Sequence, residues 1–230
     1  MLDLLRARLR QKVNPVAPGV RDAGLPERFR GLLAPESGAE SGRRLPVIDL
    51  GASVFAPEEA VEGWQFTRDH RMAVRSRDAL IVDGGEIELA RALDAKMRSL
   101  LGRSLRLRSV AAGSCGGCEA ELTALGNVVF DMARFGVQFV ASPRHADGIV
   151  VTGVVTANMR EALEKTYEAT PDPRIVIAVG ACAISGGVFR DSEQATAIPP
   201  SIPVDLWIPG CPPHPLTVLD GLLRLLGRLD

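Results

Sequence analysis

Four cysteines are the residues of this chain best equipped for chemistry. Two stand together as Cys115-Gly116-Gly117-Cys118, and two stand alone, in Gly180-Ala181-Cys182-Ala183 and Pro209-Gly210-Cys211-Pro212-Pro213. Four thiolates converging on one point are what a cubane iron–sulfur cluster requires. A structural zinc also takes four, but such sites usually pair two Cys-x-x-Cys knuckles on a small module. A redox dithiol would use Cys115 and Cys118 and leave Cys182 and Cys211 idle. Inert thiols, packed as small hydrophobes, are the blandest reading. Glycines inside the knuckle and prolines after Cys211 argue for shaped loops instead. The spacing favours the cluster over zinc and zinc over the dithiol, and none of these is excluded at this point.

The segments before the cysteines say how they could be brought together. Leu105 to Ala112, Ile175 to Val179 and Val204 to Ile208 are short apolar runs, each ending just before a cysteine loop. Runs of this kind read as parallel strands buried on both faces. In an open α/β sheet the carboxyl ends of the strands share one edge, where ligands bind. Between the runs, Leu122, Leu125, Val129, Met132 and Phe135 suggest one long helix after Cys118. Residues 136–141 and 147–152 read as further strands, with Asn158 as cap of a helix reaching Ala169. Leu216 to Leu226, following Pro215, reads as a final helix. This alternation predicts a doubly wound parallel sheet over residues 102–230.

The first hundred residues read differently. Leu2, Leu5, Leu9 and Val13 recur at helical spacing among basic residues, and prolines, glycines and charges dominate from Asn14 to Arg44. Residues 1–44 are therefore expected to be a helix and an extended docking arm. Residues 45–101 suggest a small α+β appendage with strands near 45–50 and 64–67. A short helix at 57–62 and a longer one from Glu86 to Leu101 complete it. His70 reads as a surface hydrogen-bonding residue. The chain has 230 residues, 46% hydrophobic, with a formal charge of -1, so no basic face favours nucleic acid. Among the Gly-Gly pairs, 116–117 and 186–187 stand near the cysteine loops, and neither belongs to a nucleotide fingerprint. No run of about 20 apolar residues is present, and the first residues lack the pattern of a signal peptide. A cytoplasmic setting, with reduced thiols, is expected.

Several segments together resemble a known family. These are Ser114 to Leu122, Arg134-Phe135-Gly136, Ala141 to Gly148, and Val151-Thr152-Gly153. Further on come Gly180 to Ala183, Gly186 to Phe189, and Ile208 to Pro215. They resemble the small subunit of energy-converting, group 4 [NiFe] hydrogenases, formate hydrogenlyase among them, and its relative, the corresponding cluster-bearing subunit of respiratory NADH–quinone oxidoreductase (complex I). The resemblance implies a flavodoxin-like fold holding one [4Fe–4S] cluster through Cys115, Cys118, Cys182 and Cys211. The cluster would lie against a hydrogenase large subunit that has its own counterpart in complex I. The quinone-linked branch carries adjacent cysteines at the first position. The separated Cys115 and Cys118 match the hydrogenase branch. The chain would then relay electrons, as a peripheral subunit on the cytoplasmic side of a membrane-bound complex, with hydrogen chemistry on the partner.

Three other positions match the family. Glu121 corresponds to an acidic position in both branches and is a candidate for a proton path, although a carboxylate at a helix start is also favoured by the dipole alone. Arg144 and His145 match a family loop and are candidates for tuning the cluster or pairing with the partner. Asp49 to Ala56 and Phe66 to His70 loosely resemble a ferredoxin domain without its ligands. Residues 1–114 contain no cysteine and so cannot supply that cluster's thiolates.

Overall fold

A computed structural model describes residues 25, 27–36, 46–56, 61–83, 87–101 and 104–229. The helix expected at 2–13 and the one at 57–62 fall wholly or largely outside these residues. The amino-terminal part contributes β1 (Leu33–Pro35), β2 (Ile48–Asp49), β3 (Trp64–Phe66), β4 (Ile81–Val82) and helix α1 (Ala95–Leu101). The remainder alternates: β5 (Leu105–Ala111), α2 (Gly117–Ala124), β6 (Val137–Phe139), β7 (Gly148–Thr152), β8 (Val155–Thr156) and α3 (Ala157–Ala169). Then come β9 (Ile175–Val179), α4 (Ala181–Ser185), β10 (Ala195–Thr196), β11 (Leu206–Ile208) and α5 (Pro215–Leu225).

Five of these strands form one parallel sheet in the order β6-β5-β7-β9-β11. Counted along the chain that is 2-1-3-4-5, the flavodoxin-like doubly wound order. β7 and β9 are buried at every residue because helices cover both faces. Ile175, Ile177 and Val179 point to the face covered by α2 and α5, packing with Leu122, Leu125, Val218 and Leu222. Val176 and Ala178 point to the other face, where Leu163 of α3 and Ala183 and Ile184 of α4 pack.

That second core also takes in Leu33, Leu50, Phe55, Trp64, Met72, Val74 and Leu80. The small amino-terminal region thus shares its core with the sheet. Two antiparallel pairs, β1 with β3 and β2 with β4, build it. Val74 exchanges both backbone hydrogen bonds with Trp207, at 3.0 and 2.9 Å, closing the exposed edge of β11. At the start of β1, Gly31 and Leu32 donate to the carbonyls of Thr67 and Asp69.

Three expectations about elements are corrected. The helix after Cys118 stops at Ala124, because Gly126 weakens it and the Asn127 side chain accepts from the Val129 and Phe130 amides, starting a turn. Residues 87–94 are not helical. Ala90 donates to Ala73 and Leu93 to Leu225, so their apolar spacing serves two separate tertiary contacts. Thr156, in extended conformation, and not Asn158, precedes the first turn of α3.

Candidate metal centre

The carboxyl ends of β5, β9 and β11 deliver the cysteine loops to one edge of the sheet. Cys115 lies in the loop after β5 and Cys118 in the first turn of α2. Cys182 lies in the first turn of α4, and Cys211 follows β11. Backbone bonds fasten these loops to one another. Ala181 donates to Gly210 at 2.8 Å, and Gly180 donates to Ile208 at 2.9 Å. Val154 donates to Gly113 at 3.1 Å, fixing the loop that leads to Cys115.

Glycines set how closely the thiols approach. A methyl group on Gly180 would lie 2.6 Å from the Cys118 sulfur, and one on Gly187 would lie 2.9 Å from the Cys182 sulfur. From Gly117 the Cys115 sulfur and Pro212 would both be 3.6 Å away. Gly180 thus connects the knuckle to the Cys182 loop, and Gly117 connects it to the Cys211 loop. Gly116 has open space about it and is required for its backbone, with φ at 87°.

The thiols act on one another electrically. Burial pushes Cys118 far above the ordinary thiol value, and Glu119, Cys182, Cys211 and Cys115 add to the rise. Burial also pushes Cys182 up, reinforced by Cys211, Cys115 and Glu119. Cys118 and Cys182 therefore resist carrying negative charge, unless a cation shares it. Cys115 is exposed and the other three are partly buried, so the edge is open on one side. Among the described residues, no three His, Cys, Asp or Glu side chains close to the spacing of a single metal ion.

Glu119, next to Cys118, was not among the residues singled out from the sequence. One of its oxygens takes a hydrogen bond from the Thr152 hydroxyl at the end of β7. The other is buried with no partner among the described residues. Its adjacency to Cys118 was the available signal, since the turn that aims Cys118 inward carries Glu119 towards β7. Glu121 instead faces a cavity of about 220 Å³ beside Cys211, which Phe29, Arg30, Met72 and His214 also line. Burial raises its carboxyl above the usual range.

Arg144 and His145 are not brought to this edge. They occupy a short turn just before β7, where the Asp147 amide bonds Arg106, near the amino end of β5. About 13 Å of strand separates Leu107, level with Gly148, from Ala111 at the cysteine end. Neither residue belongs to the loops that carry the thiols. His70 is also not where its polar neighbours suggested: it is fully buried.

A 2-1-3-4-5 sheet presenting four thiols at its carboxyl edge defines a class, the flavodoxin-like domain of an oxidoreductase subunit. Within that class the chain belongs to the family described as NADH ubiquinone oxidoreductase, 20 Kd subunit, matched over residues 115–225. It is 46% identical over 136 residues to a probable membrane-bound hydrogenase subunit, mbhJ, of Pyrococcus furiosus, covering 59% of this chain and 81% of that one. Subunit 7 of the Escherichia coli formate hydrogenlyase is 42% identical over 139 residues, which are 60% of this chain and 54% of the relative. A subunit of the NADH-quinone oxidoreductase of Citrifermentans bemidjiense is 46% identical over 112 residues, 49% of this chain and 66% of the relative. Among solved structures, a chain of an archaeal membrane-bound sulfane sulfur reductase superposes with a TM-score of 0.51 and 34% identity. That likeness covers 59% of this chain and 75% of the other.

Proposed function

We propose that this chain is an electron-transfer subunit that holds one [4Fe–4S] cluster through Cys115, Cys118, Cys182 and Cys211. The convergence of the four thiols carries the reading, with Gly180 leaving room only for a bare backbone against Cys118. The donor set fits: it is all thiolate, which suits iron–sulfur centres. Cys115, Cys118, Cys182 and Cys211 would each supply one thiolate to the cluster. When bound, such a cluster supplies one-electron transfer. The chain's own part is to hold the thiolates, to keep side chains away at Gly180 and Gly187, and to leave the Cys115 side open towards a partner.

The relatives support a physiological setting. Membrane-bound hydrogenase and formate hydrogenlyase subunits support a [NiFe]-hydrogenase-type complex, and the separated Cys115 and Cys118 favour that branch. In this reading a large catalytic subunit lies against the thiol edge, and further subunits attach the complex to the cytoplasmic side of a membrane. No helix among the described residues is long and apolar enough to cross a membrane, which fits a peripheral place. A quinone- or ferredoxin-linked complex without hydrogenase activity is the second reading, favoured by the likeness to the NADH-quinone oxidoreductase relative.

Anaerobic purification with its partners tests the cluster. We expect broad brown absorption and about four iron and four acid-labile sulfide per chain. A colourless, zinc-loaded chain would refute the assignment. The large subunit that copurifies separates the two settings: two Cys-x-x-Cys nickel motifs in its sequence mean hydrogenase, and their absence means the second reading.

A further inference from the structure

Helix α5 carries a polar stripe through an apolar interior. His214 caps the helix, accepting from the Leu216 amide at 3.2 Å, and Thr217, Asp220 and Arg224 follow at spacings of three and four. This face is turned to residues 70–74, since a methyl group on Gly221 would lie 2.6 Å from the Ala73 side chain. His70, Thr217 and Asp220 are each 0% exposed. Both ring nitrogens of His70, the Thr217 hydroxyl and Oδ1 of Asp220 have no hydrogen-bond partner among the described residues. The other Asp220 oxygen accepts from Arg224 at 2.8 Å.

Each buried polar group left unpaired is destabilising, because it gives up its bonds to water and gains none. Four such atoms on the facing sides of one contact call for a common partner, and internal water, with two to four bonds each, is the ordinary one. The charged groups facing His70 are Asp69 and Arg71 of its own segment and Asp220 and Arg224 of α5, and the titratable His214 lies at the helix cap. Burial holds His70 below the usual histidine range, while Asp220 and then Asp69 pull it back up.

The stripe also lies between two openings. Met72 and His214 line the cavity beside Cys211 that Glu121 faces. Arg71 and Arg224 line a second cavity, of about 520 Å³, bounded by residues 87–92 and Gly227. His70 is adjacent in sequence to Arg71 and two residues from Met72, at the junction of the two.

We propose that internal water joins His70, Thr217 and Asp220 into a proton-holding site that links the cavity beside Cys211, past His214, to the cavity at Arg71 and Arg224. Neutral His70 takes up, on its bare ring nitrogen, a proton passed along the water chain from the cavity side, and becomes an imidazolium beside the Asp220 carboxylate. Loss of the proton on the other ring nitrogen to water on the opposite side restores the neutral ring as the other tautomer, so only N–H and O–H bonds are exchanged and no electron is consumed. The chain would then move protons as well as relay electrons. The inference rests on the cluster reading above, because arrival of negative charge at the cysteine edge is what would draw the proton in.

The test is an electron paramagnetic resonance redox titration of the intact complex across pH, for the wild type, His70→Gln and Asp220→Asn. The wild-type midpoint potential should fall as pH rises, beginning below the ordinary histidine value of 6.5. Both variants should keep the signal and lose that dependence. Absence of any cluster signal in the wild type would overturn the reading of the cysteines. A normal signal with a flat wild-type profile, or with the same slope in both variants, would overturn the relay alone. A purely structural role predicts a shift equal at every pH, which counts against it too. Thr217→Val provides a third variant if either of the others fails to assemble. A high-resolution structure of the complex should show ordered water between His70 and Asp220, and a dry contact there would sink the proposal.

Discussion

Gly180 and Gly116 offer a matched test of how the thiol edge is built. Both have a φ that side chains rarely adopt, 88° and 87°. They differ in what a methyl group would meet: the Cys118 sulfur at 2.6 Å from Gly180, and nothing within 4 Å of Gly116. Gly116→Ala therefore costs backbone strain alone, about 1 kcal/mol for a left-handed residue. Gly180 has ψ at 154°, in a region almost exclusive to glycine, so its strain is about 2–3 kcal/mol before any contact is counted. To this is added a sulfur displaced by about 1 Å if it is to regain the ordinary van der Waals distance of about 3.5–4.0 Å. Cys118 can yield by turning about its Cα–Cβ bond, but that would aim its sulfur away from its present position beside the Cys182 loop.

The expected result is that Gly180→Ala loses most of its iron and labile sulfide, whereas Gly116→Ala keeps them. Iron content, the resonance signal and the rate of iron loss to a chelator would be measured on complexes purified side by side. Recovery of the partner subunits shows whether the chain has folded in each case. Retention of a full, stable cluster by Gly180→Ala would refute the claim that close approach at this glycine positions Cys118. Equal losses in the two variants would mean that contact with the sulfur does not decide the outcome.

Replacing Cys182 by Ser should remove or convert the cluster while the subunits still copurify, since an oxygen ligand is harder than iron–sulfur centres prefer; iron analysis and pull-down check this together. His214, held down to about 4 from 6.5 by burial and then by His70, stays neutral in the fold while the unfolded chain takes up its proton. Stability should therefore fall as pH drops from about 6.5 towards 4, by about 1–2 kcal/mol after allowing for partial exposure, and His214→Asn should flatten this acid dependence of the thermal midpoint. Arg224→Ala leaves the Asp220 carboxylate buried without its cation and should cost about 3–5 kcal/mol, read from the denaturation midpoint. Replacing both by leucine should recover much of that loss.

How much of this was legible in the sequence depended on how local each signal was. β7 and β9 could be read because a strand buried on both faces is apolar at every position, whatever its neighbours are. The cysteine loops could be read because glycine and proline punctuate the ends of those strands. The long helix expected after Cys118 failed at Gly126 and Asn127, where one side chain bonding two amides outweighed a continued apolar period. Arg144 and His145 matched a family segment, yet their distance from the thiols depends on which end of β5 the connection reaches, and no spacing records that.

The amino-terminal region was illegible for a deeper reason. Its strands are two or three residues long, too short for periodicity to register, and their pairings join residues about 30 apart. Ala90 and Leu93 looked like successive turns of a helix, but one is tied to Ala73 and the other to Leu225. His70 looked like a surface residue because its neighbours, Asp69 and Arg71, are charged. Those two pair with each other at 2.7 Å and satisfy their own charge at the edge, which leaves His70 free to turn inward onto α5. What buries it is the Val74 contact with Trp207, which fastens the segment to the last strand just before the Cys211 loop. A segment without thiols thus comes to wall the Cys211 side of the thiol edge, through Met72 and Phe29. Changes in this region should therefore be felt at the cysteines even though it supplies none of them.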